Sequence, residues 1–328
     1  MKRRITDSLN ITCNTFDIRD RVPYLYVRDK EQFRPHFLKE KDGVKLFELR
    51  YKSPVNSPYP KNNEVYSWYI ESPEKKNAVV FLHGWKVGDI SRWLFFGSLL
   101  AKRGISVLLL ELPYHMHRRP GGRRNGELFI VPDAVRTFNS YEQTVLDARK
   151  GIDFLQERGF FKIGLVGASV GSMCGVIVHA LDKRIKKSIL IISGGDIEML
   201  KWRSPATVEV RKDHRSIGVT HGVCIRNRRY FDSFINKIKK GKHPTEVQAE
   251  VACYYFDPLA FAPLINRNNV LMLNGLFDMI IPKQSTLKLW RALNKPRLVW
   301  YPLSHFSIYL AFPAIIKRIT RFLMTTTN

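Results

Sequence analysis

The sequence predicts an α/β fold: a doubly wound, mostly parallel sheet with helices on both faces. Three observations carry this. Short apolar runs recur at Ala78–Leu82, Ile105–Leu110, Lys162–Val166, Ile189–Ile192, Val270–Leu273 and Leu298–Tyr301. Continuous apolar runs of this length suit parallel strands buried on both faces. Helical patterns lie between them. In Tyr141–Arg158, Val145, Ala148, Ile152 and Leu155 fall at spacings of three and four and form one stripe. The third observation is the small-residue turn Gly167–Gly171, which joins a strand run directly to a helical run. Strands alternating with helices are the pattern of a parallel sheet with crossover helices.

The first 64 residues read as an N-terminal extension. Phe47–Tyr51 and Val65–Glu71 could pair as antiparallel strands, and the Pro- and Ser-rich stretch Ser53–Pro60 is a loop. The regular core spans residues 65–193 and 265–328, with Ser285–Leu293 and Phe306–Phe322 as late helices. Residues 194–264 interrupt the alternation. They hold helical pieces at Tyr230–Lys240 and Thr245–Tyr254 and a basic cluster at Arg226–Arg229. An insertion this long inside a compact domain is usually functional, so a helical cap or lid is expected there.

Composition narrows the class. The chain has 328 residues, 45% hydrophobic and 25% charged, which excludes a wholly disordered or collagen-like chain. That length buries a core without disulfides or a structural metal. The formal net charge of +25 favours anionic partners: nucleic acid, an anionic lipid surface or a charged substrate. A generally basic composition with no special partner accounts for it equally well. Cys13, Cys174, Cys224 and Cys253 form no CxxC pair and fit reduced thiols in a cytoplasmic protein. Met1–Arg4 resembles the basic start of a signal peptide, but Ile5–Asn10 is too polar to continue one. No apolar run reaches the length of a spanning helix. The nearest, Phe306–Ile316, contains Pro313 and reads as a final surface helix with one buried face.

The segment with the strongest chemical content is Gly167-Ala168-Ser169-Val170-Gly171. It fits G-x-S-x-G, a pattern that also arises by chance. Here the strand Ile163–Val166 enters it and a helical run, Ser172–Leu181, leaves it. That context fits a sharp turn that lifts a serine hydroxyl above the sheet, with small residues where backbones meet. The helix N-terminus then favours developing negative charge. A glycine-rich turn with a merely small serine is the bland alternative.

On these residues the chain resembles the α/β-hydrolases, over about residues 65–325. The resemblance implies a triad in the order Ser, Asp or Glu, His. Ser169 would be the nucleophile. The acid loop corresponds to Leu271–Asp278 followed by Met279-Ile280-Ile281-Pro282, with Asp278 as the acid. The base follows the last strand run, in Leu298–His305, and would be His305. Asp196 follows an earlier strand and is the competing acid. His115, His117, His179, His214, His221 and His243 follow no final strand. The oxyanion hole would take the N–H of Val170 and one from the loop His83-Gly84-Trp85, assigned to Trp85. Trp85 would also serve as an apolar plug against the sheet.

Glu111–Pro120 resembles the L-P-Y-H-x-x-R-x-P segment of an α/β-hydrolase subfamily related to acetyl-esterase and dipeptidyl-peptidase-like members. It lies at the carboxyl edge of the sheet, where such folds bind ligands. His115, Arg118 and Arg119 are therefore candidate contacts to a carboxylate or phosphate, or else parts of a solvated basic loop. No P-loop, dinucleotide fingerprint, metal cluster or nucleic-acid module appears, so neither cofactor nor nucleic acid is implied. The expected function is a serine esterase acting on a small-molecule ester, neutral or anionic, through an acyl-enzyme. Amide or peptide hydrolysis by the same triad, a non-catalytic binding protein, and a lipid-active protein at a membrane surface are the alternatives.

Overall fold

The apolar runs become strands because each is covered twice. Along the strand Asn77–Leu82, Val79 and Phe81 face one core with Phe96, Leu100, Ile315 and Ile319. Val80 and Leu82 face a second core with Phe138, Ile152 and Val176. Consecutive strand residues point to opposite faces, so an unbroken apolar run serves both.

The computed structural model describes residues 17–29 and 31–325, with the backbone of Arg3 and Arg4. Cys13 and the segment Ile5–Asn10 lie outside the described residues. In chain order the main elements are β1 (His36–Lys41), β2 (Val44–Lys52), β3 (Glu64–Glu71), β4 (Asn77–Leu82), α1 (Ser91–Ala101), β5 (Ile105–Leu110) and α2 (Ala134–Glu157). Then come β6 (Ile163–Ala168), α3 (Val170–Leu181), β7 (Ile185–Ile191), α4 (Ile197–Arg203), α5 (Val208–Ser216), α6 (His221–Lys239) and α7 (Pro258–Phe261). The chain closes with β8 (Val270–Gly275), α8 (Lys283–Ala292), β9 (Arg297–Tyr301) and α9 (Phe312–Met324).

Nine strands form one sheet in the order β9-β8-β7-β6-β4-β5-β3-β2-β1. The six strands from β9 to β5 are parallel, and β3, β2 and β1 join antiparallel. The paired strands at Phe47–Tyr51 and Val65–Glu71 are thus β2 and β3, and strands from before residue 65 continue the central sheet. Residues 17–29 lie across α2, held by Tyr24 N–H to Glu142 (2.7 Å) and Lys150 to Asp29 (2.6 Å). α2 begins at Asp133, whose carboxylate accepts the Val135 and Arg136 N–H groups, the usual work of an N-cap. α9 buries Ile315, Ile316 and Ile319 and leaves Lys317 and Arg321 outside. The helix expected from Phe306 starts later, because a 3₁₀ turn at Ile308–Ala311 comes first.

Residues 197–239 supply α4, α5 and α6. The helix expected at Thr245–Tyr254 does not form; short 3₁₀ turns occupy Pro244–Glu246 and Ala252–Phe256. Tyr255 supplies the reason. Its hydroxyl donates to the Val247 carbonyl (3.0 Å) and accepts the Ala249 N–H (2.9 Å), replacing helix bonds. Among the described residues no helix is long and apolar enough to cross a membrane.

Burial also sets the pH response of the fold. It pushes His115, His179 and His214 down to about 4, and His83 well below the ordinary imidazole value. Unfolding frees all four to bind protons near pH 6.5. Between about pH 6.5 and 4 the unfolded chain therefore holds more protons, and stability falls as pH falls. Each histidine contributes up to about 1.4 kcal/mol per pH unit. Asp257 acts in the opposite sense: burial, then the Asp196 charge, raises it to about 6, so it offsets roughly one histidine. Urea midpoints measured from pH 7 to pH 5 should decline accordingly; a flat series would contradict the buried neutral histidines.

Candidate active site

β6 runs into α3 through Ser169, whose φ of 54° and ψ of −122° lie in a region uncommon for non-glycine residues. The turn leaves no room for side chains beside the serine. A Cβ on Gly167 would stand 2.5 Å from Ser172 Cα, and one on Gly171 would stand 2.2 Å from the Leu82 carbonyl oxygen. The Ser169 N–H donates to Ile191 O at 2.9 Å, and its carbonyl accepts the Ser172 N–H at 2.9 Å. The backbone is thus fixed by main-chain bonds and the hydroxyl is left uncommitted.

Asp278 and His305 stand on neighbouring loops because β8 and β9 pair in parallel and end together. The loops are tied by Leu276 N–H to Tyr301 O (2.7 Å) and Phe277 N–H to Leu303 O (3.1 Å). Asp278 Oδ1 accepts the Ile280 and Ile281 N–H groups, each at 2.8 Å. Its Oδ2 lies 2.8 Å from His305 Nδ1. The Asp278 side chain is 2% exposed and that of His305 11%. The carboxylate is thus shielded and orients the imidazole by Nδ1. Ser169 and His305 line one cleft, together with Gly84, Trp85 and Arg92. The Ser169 hydroxyl makes no hydrogen bond to the imidazole in this conformation; nucleophile–base contacts commonly tighten only in the substrate complex.

The Trp85 and Val170 N–H groups meet no acceptor among the described residues. Val170 opens α3 and so has no intrahelical partner. Both residues border the same cavity as Ser169. The Trp85 side chain is half-buried, and its indole N–H donates to Gly126 O at 2.7 Å.

The other residues singled out above lie elsewhere. Asp196 caps α4 through the Met199 N–H and pairs with Arg228 (2.8 Å) and Lys288. Burial opposes its charge, but these partners outweigh it and hold the carboxyl below its usual range. Full burial removes His115 and Arg118 from the direct contact to a carboxylate or phosphate expected of them. Arg118 pairs with Asp147 (2.8 Å) and donates to Glu111 O and Asn62 O, so it braces the loop from inside. Arg119 is exposed and donates to the Arg123 carbonyl (2.8 Å). The structure also shows an apolar cavity of about 110 Å³ beside Ser169, walled by Tyr141, Met173, Ile197, Leu200, Val210 and Phe256. Those residues come from α2, α3, α4, α5 and a 3₁₀ turn, and no local pattern links them in the sequence.

With this geometry in place, comparison with known proteins gives the family. A family model described as "Alpha/beta hydrolase domain containing 18" matches residues 30–196. The chain belongs to that family. Two curated relatives from strains of Mycobacterium tuberculosis, both described as uncharacterized proteins, are 24% identical over 265 residues. The match covers 78% of this chain and 56% of each relative, so the chain spans little more than half their length. Among solved structures, acetyl xylan esterase from Paenibacillus sp. R4 superposes with a TM-score of 0.58 at 17% identity, covering 89% of this chain and 87% of that one. A cold-adapted esterase from an Arctic intertidal metagenomic library gives 0.56 at 17%, covering 89% and 99%. The acylaminoacyl peptidase of Pyrococcus horikoshii gives 0.56 at 16%, covering 91% and 43%. At such identities these likenesses establish the α/β-hydrolase fold alone.

Proposed function

We propose that the chain is a serine hydrolase that cleaves a carboxylic ester through an acyl-enzyme. The observation that carries this reading is the shielded Asp278–His305 hydrogen bond at a cleft that Ser169 also lines. Serine is a weak nucleophile without a base. His305, with Nδ1 toward Asp278, presents Nε2 as that base. Asp278 fixes the tautomer and stabilises the imidazolium. The tetrahedral oxyanion is met by the Trp85 and Val170 N–H groups. His305 then gives its proton to the departing alkoxide, and the acyl-enzyme is hydrolysed by water activated the same way.

The two cavities at Ser169 divide the substrate. His305 borders one and is absent from the lining of the other. The leaving alcohol takes its proton from His305, so the alcohol occupies the cleft with His305 and Arg92. The acyl group then enters the apolar cavity under α4 and α5, which acts as a cap. Each added acyl methylene buried there contributes about 0.8 kcal/mol, so kcat/KM should rise up to about fourfold per methylene until the cavity is full. A series of p-nitrophenyl esters from acetyl to dodecanoyl tests this; a preference for acetyl over octanoyl would reverse the assignment of the cavities. Turnover of amino-acid anilides with none of any ester would replace ester by amide as the scissile bond.

A further inference from the structure

His83 and His115 take no part in the steps above, yet both are fully buried and both rings are committed to the main chain. His83 stands on the loop that carries Trp85. Its Nδ1 lies 2.7 Å from the Gly84 carbonyl oxygen, and its Nε2 accepts the Leu112 N–H at 3.0 Å. His115 stands on the loop that carries Leu112. Its Nδ1 lies 2.8 Å from Pro113 O, and its Nε2 accepts the Lys86 N–H at 3.0 Å. The bonds are reciprocal: each loop's histidine holds the other loop's backbone. A carbonyl only accepts, so Nδ1 carries the proton in both rings and Nε2 the lone pair. The rings meet edge to face with centroids 5.1 Å apart. Burial, with the Arg118 charge nearby, keeps both neutral, as the bonds require.

The backbone they hold is not one that relaxes there unaided. Lys86, Tyr114 and Met116 adopt φ values of 61°, 66° and 45°, left-handed for residues with side chains. Trp85 sits between His83 and Lys86, so both of its flanks are tied down. Its indole is bonded to Gly126 O, and the Gly126 N–H returns to Tyr114 O at 2.9 Å. An oxyanion donor is effective because it is aimed before charge develops. We propose that His83 and His115 form a reciprocal clasp that aims the Trp85 N–H at the oxyanion, which makes both of them positioning residues for acyl transfer. The proposal rests on the ester-hydrolase reading and deepens it.

The test compares His115→Leu, which removes the acceptor, with His115→Gln, whose amide oxygen reaches toward the Nε2 position. Active sites are counted by stoichiometric fluorophosphonate labelling, and kcat, KM and the affinity for an acyl trifluoromethyl ketone are measured per active site. The Leu variant should lose about ten- to a hundredfold in kcat and a similar factor in ketone affinity, with KM nearly unchanged. The Gln variant should recover most of both. A Leu variant with wild-type kcat and ketone affinity per active site would overturn the clasp, as would a loss confined to the number of active sites. Where His115→Leu does not fold, Gly126→Ala serves instead. Its Cβ would stand 2.4 Å from His115 Nε2 and 2.9 Å from Trp85 Cδ1. It should show the same kcat loss, and a wild-type kcat would again overturn the proposal. Wild type that labels at Ser169 while the variants are unaffected removes only the clasp; wild type that does not label removes the hydrolase reading itself.

Discussion

Ser169→Ala is expected to lower kcat/KM for an ester by about 10⁵-fold, roughly 7 kcal/mol of transition-state stabilisation. The size follows from the role: without Oγ no acyl-enzyme forms, and only the oxyanion donors and substrate binding remain. Stability should change by no more than about 0.5 kcal/mol. The Ser169 hydroxyl has no hydrogen-bond partner among the described residues, and the turn is held by main-chain bonds to Ile191 and Ser172. Alanine keeps the Cβ and the backbone. Thermal unfolding and steady-state rates on the same preparation separate the two effects; a variant with more than one per cent of wild-type kcat would contradict the role.

Asp278→Asn should cost about 10⁴-fold in kcat at nearly constant KM, for a geometric reason. Asp278 Oδ1 accepts two backbone N–H groups, from Ile280 and Ile281. An asparagine must keep its oxygen there, because turning the amide would set its NH₂ against two donors. Its NH₂ then faces His305 Nδ1, which becomes an acceptor. The proton moves to Nε2, and the ring can no longer take one from Ser169. Asp196→Asn should leave kcat within a few-fold of wild type, since Asp196 pairs with Arg228 and Lys288 rather than with His305. Kinetics of the two variants side by side discriminate the acids; the reverse ranking would move the acid to Asp196.

How much was legible depends on how local each signal is. β4 to β8 stand out because apolar runs within them, such as Val79–Leu82 and Ile189–Ile191, alternate between two cores. β1 does not: all six residues of His36–Lys41 are exposed, so its only cue is the partner strand. Ser169, Asp278 and His305 are readable because each closely follows the end of a strand and sits in a local turn pattern. The buried place of Arg118 is not readable, for the opposite reason. A basic residue in an aromatic loop looks the same whether it faces solvent or is buried, and its partners Asn62 and Asp147 are remote in sequence. Thr245–Tyr254 has helical composition, but the Tyr255 hydroxyl takes over its backbone groups. The apolar cavity beside Ser169 is a meeting of five elements, visible only once they are assembled.

The central claim is that Ser169 is activated by His305. Purified wild type and Ser169→Ala should be treated with a broad fluorophosphonate and read by intact mass. One adduct per wild-type chain, mapped to Ser169 and absent from the folded variant, is the predicted result. Folded wild type that takes no adduct, or a variant that takes the same one, would contradict the claim.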